Sequence, residues 1–164
     1  MPAKTKTSPP DLIDPGKAAP AFNLKDQDGK THRLSDYKGR WIVLYFYPRD
    51  NTPGCTIQAC GFRDSYEDID AQNAVVFGVS PDDEKAHQRF VDKRKLPFPL
   101  LVDPGQKIAS KYGVWRQKMM FGVKHMGIVR TTYLIGADGK VARRWDKVKV
   151  DGHAAEVEAA VREL

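Results

Sequence analysis

Both thiols of the chain, Cys55 and Cys60, fall in YPRDNTPGCTIQAC, residues 47 to 60. The triplet Thr52-Pro53-Gly54 stands directly before the first. Threonine is a favoured helix N-cap, and proline suits the first helical position, where a backbone N–H has no partner anyway. On that reading Cys55 is the third helical residue, where a Glu or Gln often reaches back to free backbone N–H groups. A thiolate there meets the same donors and the positive end of the helix dipole. Gly54 leaves room for another group to approach the backbone. A helix terminus contributes only ~0.3–1 kcal/mol, up to about 2 in good geometry. A second group is therefore needed to activate the sulfur, and a cation is the natural one. Arg130 in GIVRTTYLI is the candidate, because it begins or interrupts an otherwise apolar strand. A solvated strand-end arginine fits the same pattern.

Other uses of two cysteines can be weighed. A structural zinc site takes about four ligands at short spacings. Here there are two thiols, and the four histidines, His32, His87, His125 and His153, are scattered. No metal is expected. The spacing is not Cys-x-x-Cys, so the common dithiol motif is absent. A staple across so short a loop would restrict the unfolded chain little. Buried apolar filler stays open, as does a reactive pair. A cysteine hydrolase or acyl-transferase is a further alternative, with His125 as its base, but it leaves Cys60 without a role.

The 164 residues suit one domain with a sound core, and 41% hydrophobic and 29% charged residues are ordinary for a globular chain. No apolar run approaches the ~20 residues of a membrane span, so no membrane partner is expected. The segment MPAKTKTSPPDLIDPGK has neither the apolar core of a secretory signal nor the look of a transit peptide. Residues 1–15 are read as a flexible polar tail and 16–164 as the domain. A cytoplasmic, reducing location is expected, where a cysteine pair is more often catalytic than structural. The net charge of +6 invites a nucleic-acid reading. The densest basic stretch, GKVARRWDKVKV at 139–150, fits a solvated strand, and no zinc-finger or RNP-type motif accompanies it. Nucleic-acid binding is not expected.

Hydrophobic patterning supplies the frame. Residues 21–35 read as a hairpin around Asp28-Gly29. WIVLYFY (41–47) and AVVFGVS (74–80) read as strands buried on both faces. A helix is expected from Cys55 to about 72, another over 82–96 with Asp82 near its start, a short strand over 98–103, and a short helix over 105–114 ended by Gly113. IVRTTYLI and VARRWDKVKV flank a second hairpin at 136–139, and a helix closes the chain. The fold class is α/β: a mixed central sheet with helices on both faces. The cysteine stretch then follows a central strand, where ligands tend to bind in open α/β sheets.

YFYPRDNTPGCT, with Pro48, Thr52 and Cys55 spaced as P-x-x-x-T-x-x-C, resembles the active-site motif of the peroxiredoxins. The second thiol in CTIQAC makes it similar to the Q type, the bacterioferritin comigratory protein group of atypical two-cysteine enzymes. The likeness covers roughly residues 16–164 and includes GKAAPAF, FGVSPD, LPFPLLVD, KYGVW and GIVRTTYLI. Arg49 stands where a lysine is frequent, and RQKMMFGVKHM, 116–126, is the least familiar part. The resemblance implies a thioredoxin-like fold and thiol-dependent reduction of hydrogen peroxide and organic hydroperoxides in antioxidant defence. Carried over, Cys55 attacks the peroxide and becomes a sulfenic acid. Thr52 hydrogen-bonds thiolate and peroxide, Arg130 stabilises charge, Pro48 shields the sulfur, and backbone N–H groups near Gly54 and Cys55 bind the distal oxygen. Cys60 resolves the sulfenic acid as an intramolecular disulfide, which thioredoxin or a similar dithiol reduces. The resemblance implies no metal, haem or flavin, and the subtype leans towards a monomer.

Overall fold

The alternating patterns become nine strands and four α-helices within residues 12–163, the part of the chain that the computed structural model describes. A hairpin of β1 (Asn23–Asp26) and β2 (Thr31–Arg33) turns through Gly29, whose φ of 80° suits glycine. Next come β3 (Trp41–Phe46), α1 (Pro53–Ala71), β4 (Ala74–Ser80), α2 (Glu84–Arg94), β5 (Leu100–Val102) and α3 (Lys107–Lys111). A hairpin of β6 (Trp115–Met120) and β7 (Val123–Ile128) follows, then β8 (Thr131–Ile135), β9 (Val141–Trp145) and α4 (His153–Arg162). Seven strands form one sheet in the order β2-β1-β5-β4-β3-β8-β9. The pairs β3–β4 and β4–β5 are parallel and the others antiparallel, so the sheet is mixed.

The apolar run of β3 reaches both faces of this sheet because side chains alternate along a strand. Val43, Tyr45 and Tyr47 join one core cluster with Cys55, Ala59 and Phe62 of α1, Phe90 of α2 and Val157 of α4. Ile42, Leu44 and Phe46 join the other, with Ile108 and Ala109 of α3 and Tyr133 of β8. Helix α1 is thereby pressed against the sheet by the face that carries Cys55.

Several details refine the sequence reading or depart from it. Helix α2 is capped by Asp83, whose carboxylate accepts from the Ala86 N–H at 2.9 Å, while Asp82 bonds Ser80 and the Asp50 backbone instead. The run IVRTTYLI is interrupted, one of the two readings of Arg130: β7 ends at Ile128 and β8 begins at Thr131. The hairpin β6–β7 has no counterpart in the patterning. Its turn uses Phe121 and Gly122 at φ 52° and 76°, a conformation that Asn-Gly would usually announce. Strand β9 stops at Trp145 rather than 150. In the stretch read as a tail, residues 1–11 lie outside the described residues. Ile13 is tied down: its N–H donates to the Tyr133 hydroxyl at 3.1 Å and its carbonyl accepts from Arg144 at 2.8 Å. No helix among the described residues is long and apolar enough to cross a membrane.

Candidate active site

Helix α1 starts as its sequence dictates, with Thr52 as extended N-cap, Pro53 first and Cys55 third. The Thr52 carbonyl accepts the first helical bond, from the Thr56 N–H at 2.8 Å. Its side chain does not cap. The Thr52 hydroxyl donates to the Arg49 carbonyl at 3.1 Å. That proton is therefore not directed at Cys55, and the oxygen keeps its lone pairs for a donor from outside.

Cys55 is only 2% exposed. Arg130 crosses from the β7–β8 junction and donates from Nη2 to the Cys55 Sγ at 3.4 Å. Its Nη1 donates to Gln58 Oε1 at 2.6 Å. Gln58 lies one turn beyond Cys55, so the guanidinium fork spans two groups on one helix face. The group that approaches Gly54 is this same guanidinium: a Cβ on Gly54 would stand 3.3 Å from Arg130 Nη2. A permanent cation and the start of a helix thus face the same buried sulfur.

Pro48 is half-buried in the loop between β3 and α1. Cys60 is half-buried on α1, and both cysteines are free thiols. They stand five positions apart on an unbroken helix, which turns their side chains about 140° apart. His125 is exposed on β7, and among the described residues no histidine hydrogen-bonds Cys55. The group at the sulfur is an arginine, which cannot serve as a base.

Two residues that the fold brings near Arg130 had no signal in the sequence. Gln58 is a polar residue in a helix that patterning treats as surface, yet it is buried, with Nε2 unpartnered among the described residues. Lys118 of β6, in the unfamiliar segment, donates to the Ile128 carbonyl at 2.8 Å. Burial first, then the charge of Arg130, pushes its ammonium below the ordinary lysine value, and Cys55 acts in the opposite sense. Gly127 makes room for its stem, since a Cβ there would lie 2.9 Å from Lys118 Cδ. A separate apolar cavity of about 590 Å³, lined by Phe22, Leu34, Tyr37, Ile42 and Ile108, borders the other core cluster and neither cysteine.

Residues 15–144 match the AhpC/TSA family. Peroxiredoxin Bcp of Bacillus subtilis is 49% identical over 152 residues, covering 93% of this chain and 97% of the relative. The chain belongs to the Bcp peroxiredoxins of the AhpC/TSA family. Peroxiredoxin Bcp of Escherichia coli is 41% identical over 138 residues, covering 84% of this chain and 88% of that protein. The Xanthomonas campestris bacterioferritin comigratory protein, solved in trapped intermediate and ligand complexes, superposes with a TM-score of 0.86 at 36% identity, over 92% of this chain and 98% of the other. The fold of this peroxiredoxin is accordingly thioredoxin-like, as the sequence resemblance implied. Its activity is that of a thiol-dependent peroxidase, an oxidoreductase that takes peroxide and a reductant.

Proposed function

We propose that Cys55 is the peroxidatic thiol, that Cys60 resolves it within the same chain, and that thioredoxin or a similar dithiol completes the cycle. The observation that carries this reading is the Arg130 fork, with Nη2 at 3.4 Å from Cys55 Sγ and Nη1 fixed by Gln58. The thiolate attacks the distal oxygen of hydrogen peroxide or an organic hydroperoxide. An S–O bond forms as the O–O bond breaks, the sulfur is oxidised to a sulfenic acid, and the leaving oxygen departs as hydroxide or alkoxide and takes up a proton. Arg130 faces the charge that moves onto that oxygen. Thr52, its own proton held by the Arg49 carbonyl, accepts from the peroxide O–H. The backbone N–H groups of Gly54 and Cys55 lie in the first turn of the helix, where an N–H has no intrahelical partner, and receive the oxygen under attack. Pro48 closes the pocket with no N–H of its own.

Cys60 then attacks the sulfenic sulfur, a disulfide forms and water leaves. Both residues lie on one helix, so the step needs no second chain, and we place the working enzyme as a monomer in a reducing, cytoplasmic setting. The test is peroxide consumption with thioredoxin and its reductase, comparing wild type, Cys55→Ser and Cys60→Ser. Loss of turnover in Cys55→Ser, and in Cys60→Ser a single oxidation without turnover by thioredoxin, supports the scheme. Full thioredoxin-linked turnover in Cys60→Ser refutes intramolecular resolution, and gel filtration reads the oligomeric state.

A further inference from the structure

Beneath the loop that joins β3 to α1 lies a buried ionic group that the chemistry above does not use. The His87 side chain is 0% exposed and that of Asp50 5%. His87 Nδ1 is 2.6 Å from Asp50 Oδ2, and His87 Nε2 is 2.9 Å from the Leu101 carbonyl oxygen. A carbonyl oxygen can only accept, and so can an ionised carboxylate. Both ring nitrogens must then carry hydrogen, which makes His87 an imidazolium. Burial alone pushes the His87 ring down, but the hydrogen bond and charge of Asp50, the Leu101 carbonyl and Asp82 together hold it above the ordinary value.

The rest of Asp50 is equally committed. Its Oδ1 accepts from the Tyr47 hydroxyl at 2.5 Å, and its backbone N–H donates to Asp82 Oδ2 at 2.6 Å. Asp82 is in turn held by the Ser80 hydroxyl at 2.9 Å. Asp50, Asp82 and His87 thus gather their ligand-type atoms within 4.8 Å of one another, with those atoms engaged in hydrogen bonds to each other and to Tyr47, Ser80 and Leu101. Asp50 sits midway between Pro48 and Thr52, and four elements converge on it: β3 through Tyr47 just past its end, the β4 end through Ser80 and Asp82, α2 through His87, and β5 through Leu101 by way of His87.

We infer that the doubly protonated His87 is a positioning residue for the peroxide step, fixing through Asp50 the loop that presents Pro48 and Thr52 to Cys55. The inference rests on the role proposed for Cys55 and goes beyond it. If the ring loses its second hydrogen, one donor faces two acceptors and either the Asp50 or the Leu101 bond must open. The loop is then released at Asp50, and a shift of about 1 Å in a positioned group can cost as much as ~10²-fold in rate. The groups around the ring are Asp50, Asp82, the Tyr47 hydroxyl held by Asp50, and the Leu101 carbonyl.

Two measurements on the intact enzyme test this. In the first, His87→Leu, which keeps the volume without the donors, and Asp50→Asn are compared with wild type in two reactions of Cys55. One is single-turnover oxidation by hydrogen peroxide; the other is alkylation by iodoacetamide, which needs no Thr52 or Pro48. The expected result is a loss of about tenfold or more with peroxide and less than about threefold with iodoacetamide. Equal losses in both reactions, or no loss with peroxide, overturn the inference. Dead peroxide chemistry in wild type with unchanged iodoacetamide reactivity would instead sink the role of Cys55. The second measurement needs no variant: nitrogen NMR of the wild-type His87 ring at pH 7. Two N–H nitrogens are expected, and a neutral ring with one bare nitrogen overturns the proposal even if the variants fail to fold.

Discussion

Oxidation to the proposed Cys55–Cys60 disulfide must dismantle the helix start that carries Cys55. Helix α1 is continuous from Pro53 to Ala71. Five residues along an ideal helix give a rise of about 7.5 Å and a rotation of about 140° on a radius of about 2.3 Å, so the two Cα atoms stand roughly 8.7 Å apart. A disulfide needs a Cα separation of about 4.4–6.8 Å with convergent Cβ vectors. The bonds that must open are those donated by residues 56 to 60, beginning with Thr56 N–H to the Thr52 carbonyl at 2.8 Å. At roughly 1 kcal/mol net each, they sum to about 5 kcal/mol. That corresponds to three or four decades in local opening, at ~1.4 kcal/mol per decade. The unwinding has a natural stop. Phe62 is fully buried, and Gly61 packs so closely on α4 that a Cβ there would meet Ala154 Cβ at 3.1 Å. Amide hydrogen exchange of the reduced and the disulfide enzyme reads this directly. Residues 56–60 are expected to exchange at least about 10³-fold faster when oxidised, while β3 and β4 change little. Equal protection in both forms, with the Cys55–Cys60 bond confirmed by mass spectrometry, refutes the unwinding argument.

Arg130→Met is expected to slow peroxide reduction by about 10²–10³, as removing one donor to a developing oxyanion does. Arg130→Lys should recover little of this in stopped-flow oxidation, because one ammonium cannot hold Gln58 and Cys55 together in the same planar fork. Thr52→Val keeps the thermal midpoint within a few degrees but loses most of the peroxide rate, since its hydroxyl caps no helix N–H; wild-type rates in this variant would reduce Thr52 to a spacer. Gly61→Ala should fail to deliver the ~1 kcal/mol that alanine normally adds within a helix, because the new methyl meets the rigid Cβ of Ala154; a stabilisation near that value in urea denaturation would contradict the packing. The folded-state His87 value lies above the ordinary 6.5, so its contribution to stability is complete below that pH and is lost as pH rises through the folded value. Urea denaturation from pH 6 to 10 should show wild type losing this increment and His87→Leu lacking it, and identical slopes would place a neutral ring in the folded protein.

Local chemistry made much of this protein legible before any fold was known. Thr52-Pro53-Gly54 announces a helix start, and Cys55 at its third position follows from counting. The runs at 41–47 and 74–80 are long and apolar enough to name central strands, and glycine at a turn reveals a hairpin at 28–29 and 136–139. What depends on contacts between distant residues stayed hidden. Arg130 reaches Cys55 across 75 positions, and only β8 lying beside β3 brings them together. Gln58 reads as a surface residue until Arg130 arrives to bond it. Thr52 looks like a capping side chain, but the loop offers its hydroxyl the Arg49 carbonyl instead. The β6–β7 hairpin was invisible because Phe121 adopts a left-handed conformation that its side chain does not announce. Asp50 and His87 are separated by 37 positions and look like ordinary polar residues of a loop and a helix. Burial makes them an obligatory pair, because a desolvated charge must find its partner within the fold.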